Sequence, residues 1–429
     1  MNTKDRFLWH FFKINLSDTD DRNAWYLVVE MFWASILSAV ASFNAAFAIR
    51  LQAENHEVGL LTSIPALMAV LVSIPTGRFL EKRPHRSPWV FGSLLVHRIG
   101  YLLIGISPWI HLPDISNGLL VVLILIGISA PAHFFNVGWI PLLAEIIPER
   151  RRAAVFTARN IVNQATVSVL VFLFGLWLSN VTFPINYQAM YFVGFAASMV
   201  SQFYLTKLAV PHSPPPLETT PKIRSLKDQI QFMGKALREH PEFMAITRNT
   251  FLHGMGVWMA GPLYALYFVR QLEASDAWLG LNGTIGCIGT IAGYSLWRWM
   301  MNRLGEPVTL KRTVVLIGLY PVLVGLTPSL PVILIFGAIN GLIVPGLNLS
   351  HFNILLKVTP PEARPTYTSI YQTIMNVGAF VAPIVSVALA DVFGFGPMLV
   401  VSGILSVIGS TSFWWWPVIS EEPKPQPAV

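Results

Sequence analysis

Residues 58–86 read VGLLTSIPALMAVLVSIPTGRFLEKRPHR, and the change of character inside this stretch decides the fold. Val58 to Thr76 runs for 19 residues without a charge, and the next ten hold Arg78, Lys82, Arg83, His85 and Arg86 against a single acid, Glu81. Wound as a helix at about 1.5 Å per residue, such a run covers roughly the 30 Å of a hydrocarbon core. An apolar run that ends abruptly in a short basic loop reads as a membrane span meeting the inner surface. The alternation continues along the whole chain. Of 429 residues, 54% are hydrophobic and only 12% are charged, where soluble domains carry about 25% charge. The lipid bilayer is therefore the solvent this composition is built for.

Working outward from 58–86, apolar runs between charged or Pro/Gly punctuation predict spans over 24–49, 58–76, 88–110, 118–143, 161–178 and 188–208. A second set follows over 243–268, 278–299, 313–326, 331–356, 368–392 and 397–416, the ninth being the shortest. With both tails inside, 26 of the 29 Lys and Arg fall in inner segments or at inner span ends. Arg50 and Arg270 fall outside, and Arg98 lies within a span. That asymmetry predicts an even span count and cytoplasmic termini by the positive-inside rule. The formal charge of +7 is thus a topology signal rather than a nucleic-acid surface. Trp414, Trp415 and Trp416 close the last span as an interfacial aromatic anchor. The N-terminal stretch MNTKDRFLWHFFKINLSDTDDR shows no apolar core followed by a small-residue cleavage site, so no removed signal peptide is expected. Cys287 is the one cysteine and sits in an apolar run, which leaves neither a disulfide framework nor a thiolate cluster.

The predicted organisation is an inner N-terminal segment (1–23), a six-helix bundle (24–208), a linker (209–242), a second six-helix bundle (243–416) and an inner tail (417–429). The linker opens on the proline-rich HSPPPLETTPK. It continues with Ile223, Leu226, Ile230, Met233 and Leu237 at helical spacing, among Lys222, Arg224, Lys227, Lys235 and Arg238. A basic amphipathic helix of this kind is expected along the inner membrane surface. The two bundles echo one another. Pro131, Leu142, Leu143 and the loop IIPERRR recur as Pro345, Leu355, Leu356 and TPPEAR, 213 to 214 residues later. Gly77-Arg78-Phe79-Leu80-Glu81-Lys82-Arg83 is answered after the eighth span by Arg298-Trp299-Met300-Met301-Asn302-Arg303-Leu304-Gly305.

The loop 77–86 resembles the loop between the second and third spans of major facilitator superfamily transporters. Gly77 matches its leading glycine, Glu81 replaces the acid by its homologue, and Lys82, His85 and Arg86 supply the basic positions. Pro84 departs from the second glycine, and the second copy keeps Asn302, Arg303 and Gly305 but loses the acid. The resemblance covers the whole chain as layout. It implies an all-α membrane fold of 12 transmembrane helices in two six-helix bundles, and secondary transport by alternating access through a central cavity. It further implies that Gly77, Arg78, Glu81, Lys82, Arg86, Arg150 and Arg303 act in gating. In that role Glu81 would pair with the run Arg150-Arg151-Arg152 or meet the start of the eleventh span, and the alternative is ordinary inner-surface charge. Gly378-Ala379-Phe380-Val381-Ala382-Pro383 is similar to a motif of exporters in the same superfamily. There it lies in the fifth span and here in the eleventh, so it says little about direction.

Ionisable groups at membrane depth are costly and call for a partner or a water-filled cavity. Arg98 is the deepest charge, and Glu30 lies at comparable depth in the first span. Their pairing would serve either as a proton-coupling switch or as a structural clasp. Spans one, four, seven and ten, which line the cavity in the superfamily, carry Asn44, His133 with Asn136, His253, and Asn340 with Asn348. Spans five and eleven add Asn163, Gln164, Gln372 and Asn376. Amides and imidazoles donate and accept hydrogen bonds and suit a neutral or zwitterionic solute. They serve equally as glue between helices. Unperturbed histidines titrate near neutral pH, so His133 or His253 is a second candidate for proton coupling. Trp258, with Trp33, Trp139 and Phe43, adds aromatic surface that favours an amphipathic or apolar solute.

There is no GxxxxGK[ST] loop for ATP, no HExxH or CxxC for a metal, and no convergent acid–base set for an intramembrane enzyme. The expected protein is a proton-coupled exporter of an amphipathic or apolar solute, with no cofactor and no metal. It is expected to work as a monomer in a bacterial-type plasma membrane, its partners a small-molecule solute, protons and lipid, with no nucleic acid. Uptake of a neutral metabolite such as a sugar or nucleoside is the alternative. A transport-dead scaffold or sensor on the same fold is a third reading. The glycines Gly280, Gly283, Gly286, Gly289 and Gly293 predict close helix approach in the eighth span, whether for movement or for plain packing.

Overall fold

The computed structural model describes residues 16–210, 226–360 and 363–418. In chain order the helices are α1 (Thr19–Ala41), α2 (Asn44–Arg50), α3 (Asn55–Glu81), α4 (Ser87–Ile106), α5 (Asn117–Ile146), α6 (Glu149–Asn180) and α7 (Ile185–Thr206). There follow α8 (Leu226–Glu239), α9 (Pro241–Leu266), α10 (Asp276–Leu304), α11 (Glu306–Gly325), α12 (Leu330–Val358), α13 (Arg364–Phe393) and α14 (Phe395–Trp415). All but α2 and α8 are at least 20 residues long. Twenty residues of helix match the thickness of a bilayer core.

Among the described residues, nine helices are long and apolar enough to cross a membrane by length and composition alone. The other three long helices, α7, α9 and α10, dilute their apolar residues with Asn, Gln, Ser, His and Gly. The first predicted span is broken rather than continuous: α1 ends at Ala41 and α2 begins at Asn44, with Ser42 and Phe43 between them.

Local chemistry sets the ends. Asp18 caps α1 by accepting from the Asp21 amide, and Ser116 caps α5 by accepting from the Leu119 amide. Glu54 and Glu57 form a capping box at the start of α3. Two junctions are one residue long: Gly305 (φ 81°) separates α10 from α11, and Gly394 (φ 87°) separates α13 from α14. A residue with a Cβ is strained at these angles, so glycine makes both sharp reversals possible.

The helices divide into two compact units, one of residues 1–218 with 274–284 and the other of 219–273 with 285–429. In the first, α1 packs on α6 and α7, α3 on α5, and α4 on α5 and α7. In the second, α9 packs on α13 and α14, and α11 on α12 and α14. The pairings of first span with fifth and sixth, and of third span with fourth and sixth, therefore occur in both units. Lipid is as apolar as leucine, so helices in a bilayer associate through close van der Waals fit and polar contacts. Accordingly Ser402, Ser406 and Ser410 recur every four residues on α14, all fully buried. A Cβ on Gly256 of α9 would stand 2.3 Å from the Ser402 carbonyl, so this glycine is what lets the two backbones meet.

Of the linker stripe, Ile223 lies outside the described residues, as do the side chains of Leu226 and Ile230. Met233, Ala236 and Leu237 pack against the core of the second unit around Phe243, Ile246 and Tyr367. The described part of that stripe therefore rests on the second unit.

Candidate functional site

The first unit holds a cavity of about 380 Å³ lined by α1, α2, α3, α4 and α5. Its polar lining includes Asn44, His97, Tyr101, Ser129 and His133, and its apolar lining includes Leu61, Leu125 and Ile128. Asn44 reaches it because α1 breaks at Ser42 and Phe43, and restarts with the amide as the first residue of α2. Tyr191 donates to Asn44 Oδ1 at 2.9 Å, and Asn44 Nδ2 donates to the Tyr101 hydroxyl at 3.4 Å. His97 Nδ1 lies 3.0 Å from the Ile128 carbonyl. A carbonyl only accepts, so the ring proton sits on Nδ1 and Nε2 is the acceptor. An adjoining cavity of about 350 Å³ shares Ala41, His97 and Tyr101 and extends to Arg98.

Arg98, at the edge of the adjoining cavity, pairs with a buried carboxylate, Glu30. Glu30 and Arg98 are 4% and 2% exposed, and the nearest approach of the pair is 3.7 Å. Arg159 of α6 donates to Glu30 Oε2 at 2.8 Å and to the Leu27 carbonyl at 2.6 Å. Ser201 donates to Glu30 Oε1 at 2.7 Å, while Arg98 donates to Ser201 Oγ at 2.6 Å and to Gln202 Oε1 at 2.7 Å. One carboxylate thus stands between two guanidiniums from different helices. Arg159 also lies over the Trp139 ring, 5.3 Å from its centroid.

The second unit has its own cavity, about 250 Å³, lined by Thr250, His253, Val314, Leu347, Asn348, His351, Tyr371 and Phe413. The hydroxyls of Thr250 and Tyr371 each lie 3.1 Å from His351 Nε2. His253 Nδ1 lies 3.0 Å from Ser410 Oγ and 2.9 Å from Ser406 Oγ.

The remaining residues singled out in the sequence are dispersed. Asn136 and Gln372 are exposed, and Gln164 is half-buried away from these cavities. Asn163 donates to Ser35 Oγ at 3.0 Å, joining α6 to α1. Asn376 donates back to the Gln372 carbonyl of its own helix at 2.9 Å. Trp258 packs edge-on against Phe251 and covers Gly254 and Gly378. Asn340 Oδ1 is buried without a hydrogen-bond partner among the described residues.

At the basic helix ends, Arg86 pairs with Glu145 at 3.1 Å, and Arg151 pairs with Asp21. Arg152 donates to the Ala144 and Ile147 carbonyls at the end of α5. Gly77 stands clear of neighbours, Arg78, Lys82 and Arg150 are exposed, and Arg303 covers the Trp299 ring at 4.0 Å. The side chain of Glu81 lies outside the described set. In the second unit, Glu306 at the start of α11 pairs with Lys357 at the end of α12 at 2.8 Å. Arg86, which caps the start of α4, and Glu145, near the end of α5, hold comparable places in the first unit, with the charges reversed. At the opposite helix ends Arg50 donates to Asp276 Oδ1 at 2.9 Å, and Tyr187 donates to the same oxygen at 2.7 Å.

Nothing in the sequence reading pointed to Arg159, His351 or Tyr371. Position 351 carried a usable signal, since it follows Asn348 by three residues and so shares its helix face. Arg159 was concealed among inner-end cations, and only packing shows that it turns inward onto Glu30.

Two units that repeat one helix-pairing scheme, each enclosing a polar cavity inside apolar helices, define a polytopic membrane protein of the solute-transporter class. The chain belongs to the Major Facilitator Superfamily, whose family profile matches it twice, over residues 27–248 and 246–429. It is 20% identical over 370 residues to the "Putative sugar efflux transporter" of Deinococcus radiodurans, covering 84% of this chain and 88% of that one. Among solved structures it resembles a bacterial homologue of the iron transporter ferroportin (TM-score 0.71, 12% identity, 92% of this chain and 98% of that one). It also resembles the nucleoside transporter NupG (TM-score 0.63, 16% identity, 92% and 98%). A third is a POT family transporter in complex with 5-aminolevulinic acid (TM-score 0.69, 14% identity, 93% and 97%). The chain is accordingly a multi-pass membrane transporter rather than an enzyme. At these identities the structural likenesses speak for the fold alone.

Proposed function

We propose that this transporter exports a small neutral amphipathic solute by alternating access, driven by a proton gradient, from a membrane in which both chain termini are cytoplasmic. The observation that carries the reading is the lining of the 380 Å³ cavity: an amide, two imidazoles, a phenol and hydroxyls set among Ala, Leu and Ile. None of its described lining residues is Asp, Glu, Lys or Arg. Such a wall matches hydroxyls and amides of a solute while accepting its apolar surface, and offers no counter-charge to an ion. Asn44, Tyr101 and His133 are the binding residues in this reading. The kinship with a protein named for sugar efflux supports the direction and a hydroxylated solute.

Coupling is assigned to Glu30. A proton on it would remove the charge that holds Arg98 and Arg159, and so would loosen α1 from α4 and α6 together.

The test is reconstitution of the full chain into liposomes with 4-methylumbelliferyl β-D-galactoside, a neutral amphipathic fluorophore. An imposed pH gradient should drive its movement opposite to the proton flow, and a protonophore should abolish that movement. Flux of this and related neutral amphiphiles that equals protein-free liposomes would overturn the reading.

A further inference from the structure

Arg50, Arg86, Arg98, Arg151 and Arg159 each meet a carboxylate. Arg248 differs: it is half-buried on α9, and no ion pair or hydrogen bond joins it to a described residue. Its guanidinium lies over the Trp416 ring, 3.9 Å from the centroid. An indole face attracts the cation but leaves its charge unneutralised. Nε is shut away without a partner among the described residues, so the two terminal nitrogens form the reachable edge. Asn249 holds this backing in place, since it is fully buried and its Nδ2 donates to the Trp416 carbonyl at 2.8 Å.

The position of Arg248 on its helix says what surrounds it. α9 turns Thr250 and His253 into the cavity of the second unit. At 3.6 residues per turn, Arg248 stands roughly 140–160° from both, on the far side of the helix. Met244 and Leu252, one turn to either side of it, are apolar and 41% and 39% exposed. On a membrane-spanning helix such a strip meets lipid. Arg248 follows Pro241, the first residue of α9, by seven positions, or about 10 Å of helix. Helical side chains tilt toward the N-terminus, so Arg248 leans to the end where α9 starts and α14 finishes. On the charge layout this is the inner end. An arginine so placed carries its charge along an apolar stem to the level of the headgroups.

We infer that Arg248, backed by Trp416, binds the phosphate of an anionic phospholipid in the inner leaflet, with the acyl chains along Met244 and Leu252. Two phosphodiester oxygens match the parallel N–H groups of a guanidinium, which favours this geometry over a single point contact. A zwitterionic headgroup brings its own ammonium and leaves the arginine charge uncancelled, whereas an anionic one cancels it. Free phosphate offers the same oxygens but nothing to cover the apolar strip. The site lies away from the solute cavities and shares with the export reading only the inner orientation.

The experiment is native mass spectrometry of the detergent-purified full chain titrated with dioleoyl phosphatidylglycerol, dioleoyl phosphatidylethanolamine or inorganic phosphate. Thermal midpoints are read in the same mixtures. The variants are Arg248→Gln, Trp416→Leu and, as a control of equal charge, Arg303→Gln from the exposed pair over Trp299. Phosphatidylglycerol should bind the parent at least about fivefold tighter than phosphatidylethanolamine and raise its midpoint, and inorganic phosphate should do neither. Arg248→Gln should weaken the first bound phosphatidylglycerol at least about fivefold and Trp416→Leu roughly two- to fivefold, with Arg303→Gln within about twofold of the parent. Should Arg248→Gln misfold, Trp416→Leu decides together with Arg248→Lys, which keeps the charge, loses the planar fork and should bind at an intermediate strength. Equal binding by the parent and well-folded Arg248 variants overturns the site, as does an equal loss in Arg303→Gln or equal uptake of the two lipids. A midpoint shift reproduced by inorganic phosphate would make it a free-anion site and overturn the lipid. Glycoside flux in liposomes is scored separately, and its failure would leave this result untouched.

Discussion

The buried cluster at Glu30 shows how a single residue can be asked for two things. A carboxylate at 4% exposure costs several kcal/mol to desolvate, and two guanidiniums with a serine hydroxyl repay that cost here. Removing its charge leaves Arg98 and Arg159 facing each other across a neutral group. Losing one partner of a buried pair typically costs about 3–5 kcal/mol, so Glu30→Gln should lower the thermal midpoint in detergent clearly. Because glutamine imitates the protonated acid, the same variant should lose the stimulation of glycoside flux by a pH gradient, while flux down a solute gradient persists. A variant that is less stable yet keeps the parental pH profile would mark Glu30 as a clasp without a coupling role. Depth and charge type made Glu30 and Arg98 legible from sequence. Arg159 was not legible, because an arginine near a basic helix end reads as surface charge until packing shows where its guanidinium goes.

Helix α10 carries its glycines on more than one face, and each face has a different neighbour. Near its start, a Cβ on Gly280 would stand 2.6 Å from the Val171 carbonyl of α6. Further along, a Cβ on Gly293 would stand 2.4 Å from the Leu342 carbonyl of α12, where Trp297 also donates to that carbonyl at 2.8 Å. Gly286 differs, with nothing within 4 Å of an added Cβ. Gly293→Ala must push backbone from backbone and should cost about 1–3 kcal/mol, whereas Gly286→Ala should be neutral or slightly stabilising. Thermal midpoints of the two variants make the comparison, and equal midpoints would refute the assignment of faces. Sequence spacing revealed a run of small residues but could not say which of them touches a neighbour, since that depends on what lies across the interface. Similarly, Lys311 and Arg312 shortened the predicted ninth span to 313–326. The helix in fact starts at Glu306, so its basic residues belong to the same helix as the apolar run. The break at Ser42 and Phe43 was also hidden, since neither residue interrupts the hydropathy.

At the scale of the whole molecule, the repeat was legible because it is written in features that every span must have. Prolines, paired leucines and basic loops recur half a chain apart, and the two units repeat their helix pairings. The cavities were legible only in part. His133, Asn44, His253 and Asn348 were visible as polar residues in apolar runs, but their grouping within one unit or the other depends on packing. The charge layout yields a final prediction. The segments and span ends predicted to be inner hold 26 Lys and Arg, against Arg50 and Arg270 on the predicted outer side. Arg50 is moreover neutralised by Asp276 at 2.9 Å, which weakens its contribution to an already small outer count. Cationic residues near span ends resist translocation, and an imbalance this large leaves one insertion direction favoured. Green fluorescent protein fused after Val429 should therefore fluoresce in the bacterial cytoplasm, and alkaline phosphatase at the same place should stay inactive. Fusions within the 112–116 loop, on the opposite side, should give the reverse pattern. Active phosphatase at the C-terminus would place the tail outside, and the assignment of the basic loops to the inner surface would fall with it.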